Sequence, residues 1–340
     1  MRRLRSIQYL RALAALSVVL YHAGQWSGPG FAIGAAGVDL FFVISGFVMG
    51  LTIQDPAAAP KTFISHRLWR IGPPYWLVSL LVFGLALSWP RLLPRVYPVA
   101  GDLALSLLFI PHLDPAGMPF PLLPVGWSLT YEMVFYGIVA VCLTQSQKRR
   151  FRILAWGLVA VMACGVLIRP AYFLVANPMM LQFLAGALIA RAYDQRRLPR
   201  QDAGWGLIVA GLALFFGLSW FDLYASLWRP LLWGAPAALI VAGAVSLEAQ
   251  SAAFKSGWLA ILGDASYSIY LCHWPVVVIL AKTVGARPSW LFTPLASVAA
   301  VGVGLLFWRF VEQPMLRWGR RKMVSGSRLP TSSMEAAAKG

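Results

Sequence analysis

Arg11 and His22 lie eleven positions apart inside one apolar stretch, Ile7-Gln-Tyr-Leu-Arg-Ala-Leu-Ala-Ala-Leu-Ser-Val-Val-Leu-Tyr-His22. At ~100° per residue, eleven steps return a helix to within ~20° of its starting direction, with a rise of roughly 16 Å. One helix face would then hold a cation at one depth and an imidazole at another. A histidine can accept and return a proton near neutral pH, which suits it to general-base work on a hydroxyl. Ionisable groups at membrane depth usually face a bundle interior or a watery cavity. The alternative is that Arg11 snorkels to the headgroups and His22 sits at the far interface.

Two carboxylates extend this pattern. Asp39 and Glu132 each stand near the start of a later apolar stretch, and the topology below brings both into one layer with His22. The functional reading is a base, His22, oriented by a carboxylate; the alternative is an ion-paired packing network. Arg67 and Arg70, three apart before a third stretch, share a helix face and make a guanidinium pair suited to phosphate. Juxtamembrane arginines are also ordinary lipid and topology signals. Tyr267, Tyr270 and His273 recur at helical spacing and would line an acceptor path or simply pack. The three cysteines lie in apolar runs, and no His, Asp and Glu set has metal-ligand spacing.

The elements that must position these residues are membrane helices. The 340-residue chain is 59% apolar and 12% charged, against roughly 25% charged for soluble domains. Its net charge of +17 falls in short clusters between apolar runs, which argues for loops at a membrane face and against nucleic-acid binding. Ten stretches approach the ~20 residues needed to span: 7–25, 34–54, 74–90, 125–144, 151–168, 172–192, 204–220, 229–247, 258–281 and 290–312. Leu103 to Ile110 is shorter and reads as an interfacial or re-entrant helix. An all-α, polytopic protein with both termini cytoplasmic follows from the basic residues. Arg2, Arg3, Arg5, Lys61, Arg67, Arg70, Lys148 to Arg152, Arg191 to Arg200, Lys255 and the tail from Arg317 fall on one side. Only Arg91, Arg95, Arg169, Arg229, Lys282 and Arg287 fall on the other. Residues 1–322 read as one membrane domain and 323–340 as a disordered tail.

Several motifs occur in order along nearly the whole chain. Arg11 and His22 are followed by Gly37-Val-Asp-Leu-Phe-Phe-Val-Ile-Ser-Gly-Phe47, then Arg67-Leu-Trp-Arg70, Trp127-Ser-Leu-Thr-Tyr-Glu132, Ser266-Tyr-Ser-Ile-Tyr-Leu-Cys-His273 and Glu312-Gln-Pro314. Together they resemble the family-3 membrane acyltransferases, whose members O-acylate cell-surface glycans and some small molecules. The resemblance implies that His22 is required for acyl transfer and that Arg11, Arg67 and Arg70 serve the acyl-CoA donor. The family's Trp-Ser-Leu-x-x-Glu motif falls on Trp127, Ser128 and Glu132. Some members carry a periplasmic hydrolase-like domain after the last span, and this chain shows none.

The expected protein is thus an O-acyltransferase of the bacterial inner membrane, moving an acyl group, acetyl foremost, from acyl-CoA to an exported or cell-envelope carbohydrate. His22, Glu132 and Asp39 are the candidate catalytic residues; Arg11, Arg67 and Arg70 bind the donor; Trp127, Ser128, Tyr270 and His273 serve the acceptor. His22 would act as general base or be acylated itself. The expected partners are the glycan, the bilayer and a polysaccharide assembly or export complex, with no metal and no nucleic acid. The rivals are a proton-coupled transporter or flippase and a non-catalytic subunit of such a complex.

Overall fold

The computed structural model describes residues 4–26, 31–167, 177–218, 228–250 and 257–325, and among these every regular element is helical. Arg2, Arg3, Arg169, Lys255 and residues 326–340 of the expected tail lie outside the described residues. Helix α1 spans Arg5–Gly24, and a 3-10 turn at Ala32–Ala36 leads into α2, Gly37–Gln54. Then come α3 (Pro60–Ser88), α4 (Ala100–Leu107), α5 (Trp127–Leu143) and α6 (Gln147–Leu167). They are followed by α7 (Met180–Asp194), α8 (Gln201–Gly217), a single turn at Arg229–Leu232 and α9 (Gly234–Gln250). The chain continues through α10 (Trp258–Thr283) and α11 (Ser289–Phe307). A π turn at Trp308–Glu312 joins α11 to α12 (Gln313–Ser325).

Six helical stretches are long and apolar enough to cross a bilayer: Ala32–Gln54, Pro60–Ser88, Pro124–Leu143, Arg229–Gln250, Trp258–Thr283 and Trp290–Gly319. Each of the ten expected stretches overlaps a helix, with residues 168, 172–176, 219 and 220 of them outside the described residues, but α1, α6, α7 and α8 fall short of that standard among the described residues. The reasons are physical. Helix α1 carries Arg5, Gln8, Arg11 and His22, and α6 opens on Lys148, Arg149, Arg150 and Arg152. Helices α7 and α8 have only 15 and 17 residues. The expected interfacial piece is α4, which stops at Leu107 before Phe109 turns to a positive φ of 56°.

Helix α1 lies at the centre, packed against α2, α9, α10 and α11, so a polar residue on it faces protein on most sides. Close approach depends on glycine where helices cross. A Cβ on Gly46 of α2 would stand 2.1 Å from the Phe183 carbonyl oxygen, and one on Gly186 of α7 2.0 Å from that of Val43. Small residues at such crossings let backbones meet, which is how membrane helices associate when lipid offers no hydrophobic drive. Gly263 of α10 rests in the same way on the Gln8 backbone of α1. That contact brings the histidine-bearing helices together.

Candidate active site

The C-terminal end of α1 opens on a cavity of about 470 Å³. His22 of α1, Gln25 at its C-cap, Arg95, Asp102 of α4, Trp127 of α5 and Tyr270 of α10 are among its walls. His22 is half-buried, whereas His273 of α10 is fully buried and absent from the cavity wall. The two rings lie side by side, centroids 5.1 Å apart and tilted by 40°. His273 was expected on the acceptor path; it stands behind His22 instead.

The orientation of His273 is fixed from below. Its Nδ1 lies 2.6 Å from the Tyr270 carbonyl oxygen. A carbonyl only accepts, so Nδ1 carries the proton and Nε2 carries the lone pair. That Nε2 is buried and has no hydrogen-bond partner among the described residues. Tyr270 is itself anchored to α5. Its hydroxyl donates to the Val125 carbonyl at 2.9 Å and, having one proton, accepts from Ser128 Oγ at 2.8 Å. Ser128, expected to touch substrate, is 6% exposed and serves this anchor. Trp127 reaches the cavity wall.

The expected layer of His22, Asp39 and Glu132 is divided among three environments. Asp39 is fully buried and accepts from Arg229 Nη2 at 2.8 Å, from Arg229 Nε at 3.1 Å and from Gln182 Nε2 at 2.5 Å. Both of its oxygens are therefore committed elsewhere. Arg229, read from sequence as a loop charge, is 3% exposed and also stacks on Trp233, with its guanidinium 4.9 Å from the ring centre. An arginine next to a proline at the start of an apolar run was the available signal, and it resembles a topology marker.

Glu132 belongs to a polar layer around Arg11 and makes no hydrogen bond to His22 among the described residues. It accepts from Ser45 Oγ at 2.9 Å and from the Tyr136 hydroxyl. Arg11 donates from Nε to Ser266 Oγ at 3.1 Å and feels the charges of Arg70, Glu312 and Glu132. Glu312, at the end of the π turn, is 2% exposed and accepts from Ser268 Oγ at 2.5 Å. Single π turns often mark functional positions in helices. Sequence reading used Glu312 only as part of a motif. A carboxylate ending an apolar run of this length was the signal for more.

Beyond this layer lies a second cavity of about 420 Å³, lined by Thr62, His66, Arg67, Trp69, Arg70 and Leu316 among others. The Arg67 guanidinium lies 5.6 Å from the Tyr136 ring centre. Arg67 and Arg70 thus share one cavity, while Arg11 and Glu132 stand between it and the histidines. An imidazole at one cavity, a cluster of cations at another and a polar layer between suit the transfer of a group from an anionic carrier to a hydroxyl.

The acyltransferase domain family matches residues 4–309. The exopolysaccharide production protein ExoZ of Rhizobium meliloti is 33% identical over 316 residues, covering 90% of this chain and 97% of ExoZ. Acyltransferase MdmB of Streptomyces mycarofaciens is 26% identical, covering 95% of this chain and 94% of its own length. Peptidoglycan O-acetyltransferase OatA of Listeria monocytogenes is 26% identical over 92% of this chain, which spans 56% of OatA. No solved structure matches. Matched from its first helix through Arg309 of the π turn, this chain belongs to the family-3 acyltransferases and is a multi-pass membrane O-acyltransferase.

Proposed function

We propose that the protein moves an acyl group, acetyl foremost, from acyl-CoA to a hydroxyl of an exported or cell-envelope carbohydrate of exopolysaccharide or lipopolysaccharide type. The observation that carries this reading is His22 on the wall of a 470 Å³ cavity, backed by a histidine whose proton is already committed. The donor's phosphates sit with Arg67 and Arg70, and its pantetheine arm passes Arg11 toward His22. The roughly 16 Å rise between Arg11 and His22 suits that arm. His22 takes the proton of the acceptor hydroxyl, whose oxygen attacks the thioester carbonyl. The C–S bond breaks, and the CoA sulfur leaves with the proton returned by His22.

The polar surroundings of the cavity support a carbohydrate acceptor. Asp102, Arg95 and Gln25 line it with polar side chains, and Trp127 and Trp274 add aromatic faces. A carboxylate for hydroxyls and rings for sugar faces is the chemistry a glycan requires. The ExoZ likeness favours an exported polysaccharide. On this reading ten helices span the bacterial inner membrane, both termini are cytoplasmic and the His22 cavity faces outward. The glycan arrives from an assembly or export complex.

The test is the O-acyl content of exported polysaccharide, measured by proton NMR in a deletion strain complemented with wild-type or His22→Ala protein. Acylation restored by wild type and absent with the variant, at equal membrane abundance, is the expected result. Full acylation by His22→Ala would overturn the role of His22. No difference between the deletion strain and wild type would overturn the choice of acceptor.

A further inference from the structure

We propose that His273 is a positioning residue that fixes the tautomer of His22, in place of the carboxylate that usually orients a catalytic histidine. The inference rests on the reading of His22 as the base. Its geometry begins with the Tyr270 carbonyl, which holds the His273 proton on Nδ1 at 2.6 Å. The remaining nitrogen, Nε2, is buried, has no partner among the described residues and can only accept. A buried acceptor left unsatisfied is costly, and the neighbouring ring is His22, centroid to centroid 5.1 Å. At that centroid separation the proposed pairing sets an N–H of the half-buried His22 ring on His273 Nε2. The proton of neutral His22 is then on the nitrogen facing α10, and its lone pair is on the other nitrogen. That is the form a general base needs.

Of the carboxylates on the wall of the His22 cavity, Asp114 is held by the Ala116 and Met118 amides, and Asp102 makes no hydrogen bond to His22 among the described residues; the two grouped with His22 from sequence are held elsewhere. Asp39 is held by Arg229 and Gln182, and Glu132 by Ser45 and Tyr136. Gln25 is another polar side chain beside His22 on the cavity wall. It is exposed, already donates to the Tyr21 hydroxyl, and presents a donor and an acceptor on one rotatable amide. Such a group follows a tautomer rather than imposing one. His273 has its proton committed and imposes it. The chain from Ser128 through Tyr270 to His273 gives three residues expected to bind substrate a shared task instead: holding the acceptor behind the base.

The experiment uses the full chain in lipid nanodiscs, labelled with 15N-histidine. With four histidines in the sequence, single variants assign every ring. We expect His273 to show a protonated Nδ1 and His22 to show one tautomer. His273→Leu should let His22 exchange between tautomers. His273→Gln, whose Oε1 stands close to where Nε2 was, should restore one. In parallel, CoA release from acetyl-CoA is followed with de-O-acylated exopolysaccharide from the producing strain as acceptor. His273→Leu should lower kcat at least tenfold and leave both KM values within twofold, and His273→Gln should recover most of the loss. A single unchanged His22 tautomer in His273→Leu would overturn the proposal. So would equal impairment of both variants when folded, or Gln25→Ala reproducing the His273→Leu effect. The tautomer measurement needs no turnover. An active His22→Ala protein would therefore remove the base assignment while the pairing of the two rings was still read separately.

Discussion

Asp39 and Arg229, 190 positions apart, meet as a fully buried ion pair with Nη2 to Oδ2 at 2.8 Å. The pair joins α2 to the turn that precedes α9, and Gln182 adds α7. It lies beside the cavity, since Ala35, which accepts from Arg229, and Trp127, which faces its guanidinium, both line the wall. The geometry makes Asp39 a fastening for three elements, not a partner of His22.

Breaking one half of this pair should therefore cost fold before chemistry. Removing one partner of a buried ion pair destabilises by about 3–5 kcal/mol, whereas replacing both with apolar residues can be nearly neutral. Asp39→Leu and Arg229→Met should each lower the melting temperature of the detergent-solubilised protein, and the double variant should regain part of that loss. Size-exclusion profiles after graded heating read the effect. An Asp39→Asn protein with wild-type melting and no turnover would return Asp39 to the chemistry.

A second prediction concerns the crossing of α2 and α7. A Cβ at Gly186 would press within 2.0 Å of the Val43 carbonyl oxygen, and backbone cannot yield there. Gly186→Ala should greatly reduce folded protein in the membrane fraction. A Cβ at Gly84 of α3 would meet nothing within 4 Å, so Gly84→Ala should accumulate at least as well as wild type. Alanine also favours helix over glycine by about 1 kcal/mol. Equal yields of the two variants would mean that α2 and α7 do not pack as described.

What was legible in the sequence follows from physical range. Helical periodicity and apolar length are local, so each of the ten expected stretches overlaps a helix among the described residues, and Arg11 and His22 both face α10. The Arg67 and Arg70 pair likewise needed only a spacing of three. The partners of the charges were not legible, because Arg229 reaches Asp39 across 190 positions and Arg11 reaches Ser266 across 255. Depth alone grouped Asp39 and Glu132 with His22. Side-chain direction, set by how α2 and α5 rotate against α7 and α1, separated them. The role of His273 required the Tyr270 carbonyl, a backbone atom that no side-chain pattern displays.

The final prediction separates the two ends of the path. On the proposed reading, Arg70 serves the donor in one cavity and Asp102 serves the acceptor in the other. Hydrogen bonds to charged groups contribute about 1.5–3 kcal/mol. Arg70→Ala should therefore raise the KM for acetyl-CoA roughly tenfold to a hundredfold and leave the acceptor KM near wild type. Asp102→Ala should do the opposite, because Asp102 lines the His22 cavity and not the one that holds Arg67 and Arg70. Initial rates over a grid of both substrates give the two constants in one experiment. If each variant shifted both constants alike, the cavities would not be separate binding sites, and a single path that admits donor and acceptor from the same end would fit the kinetics better.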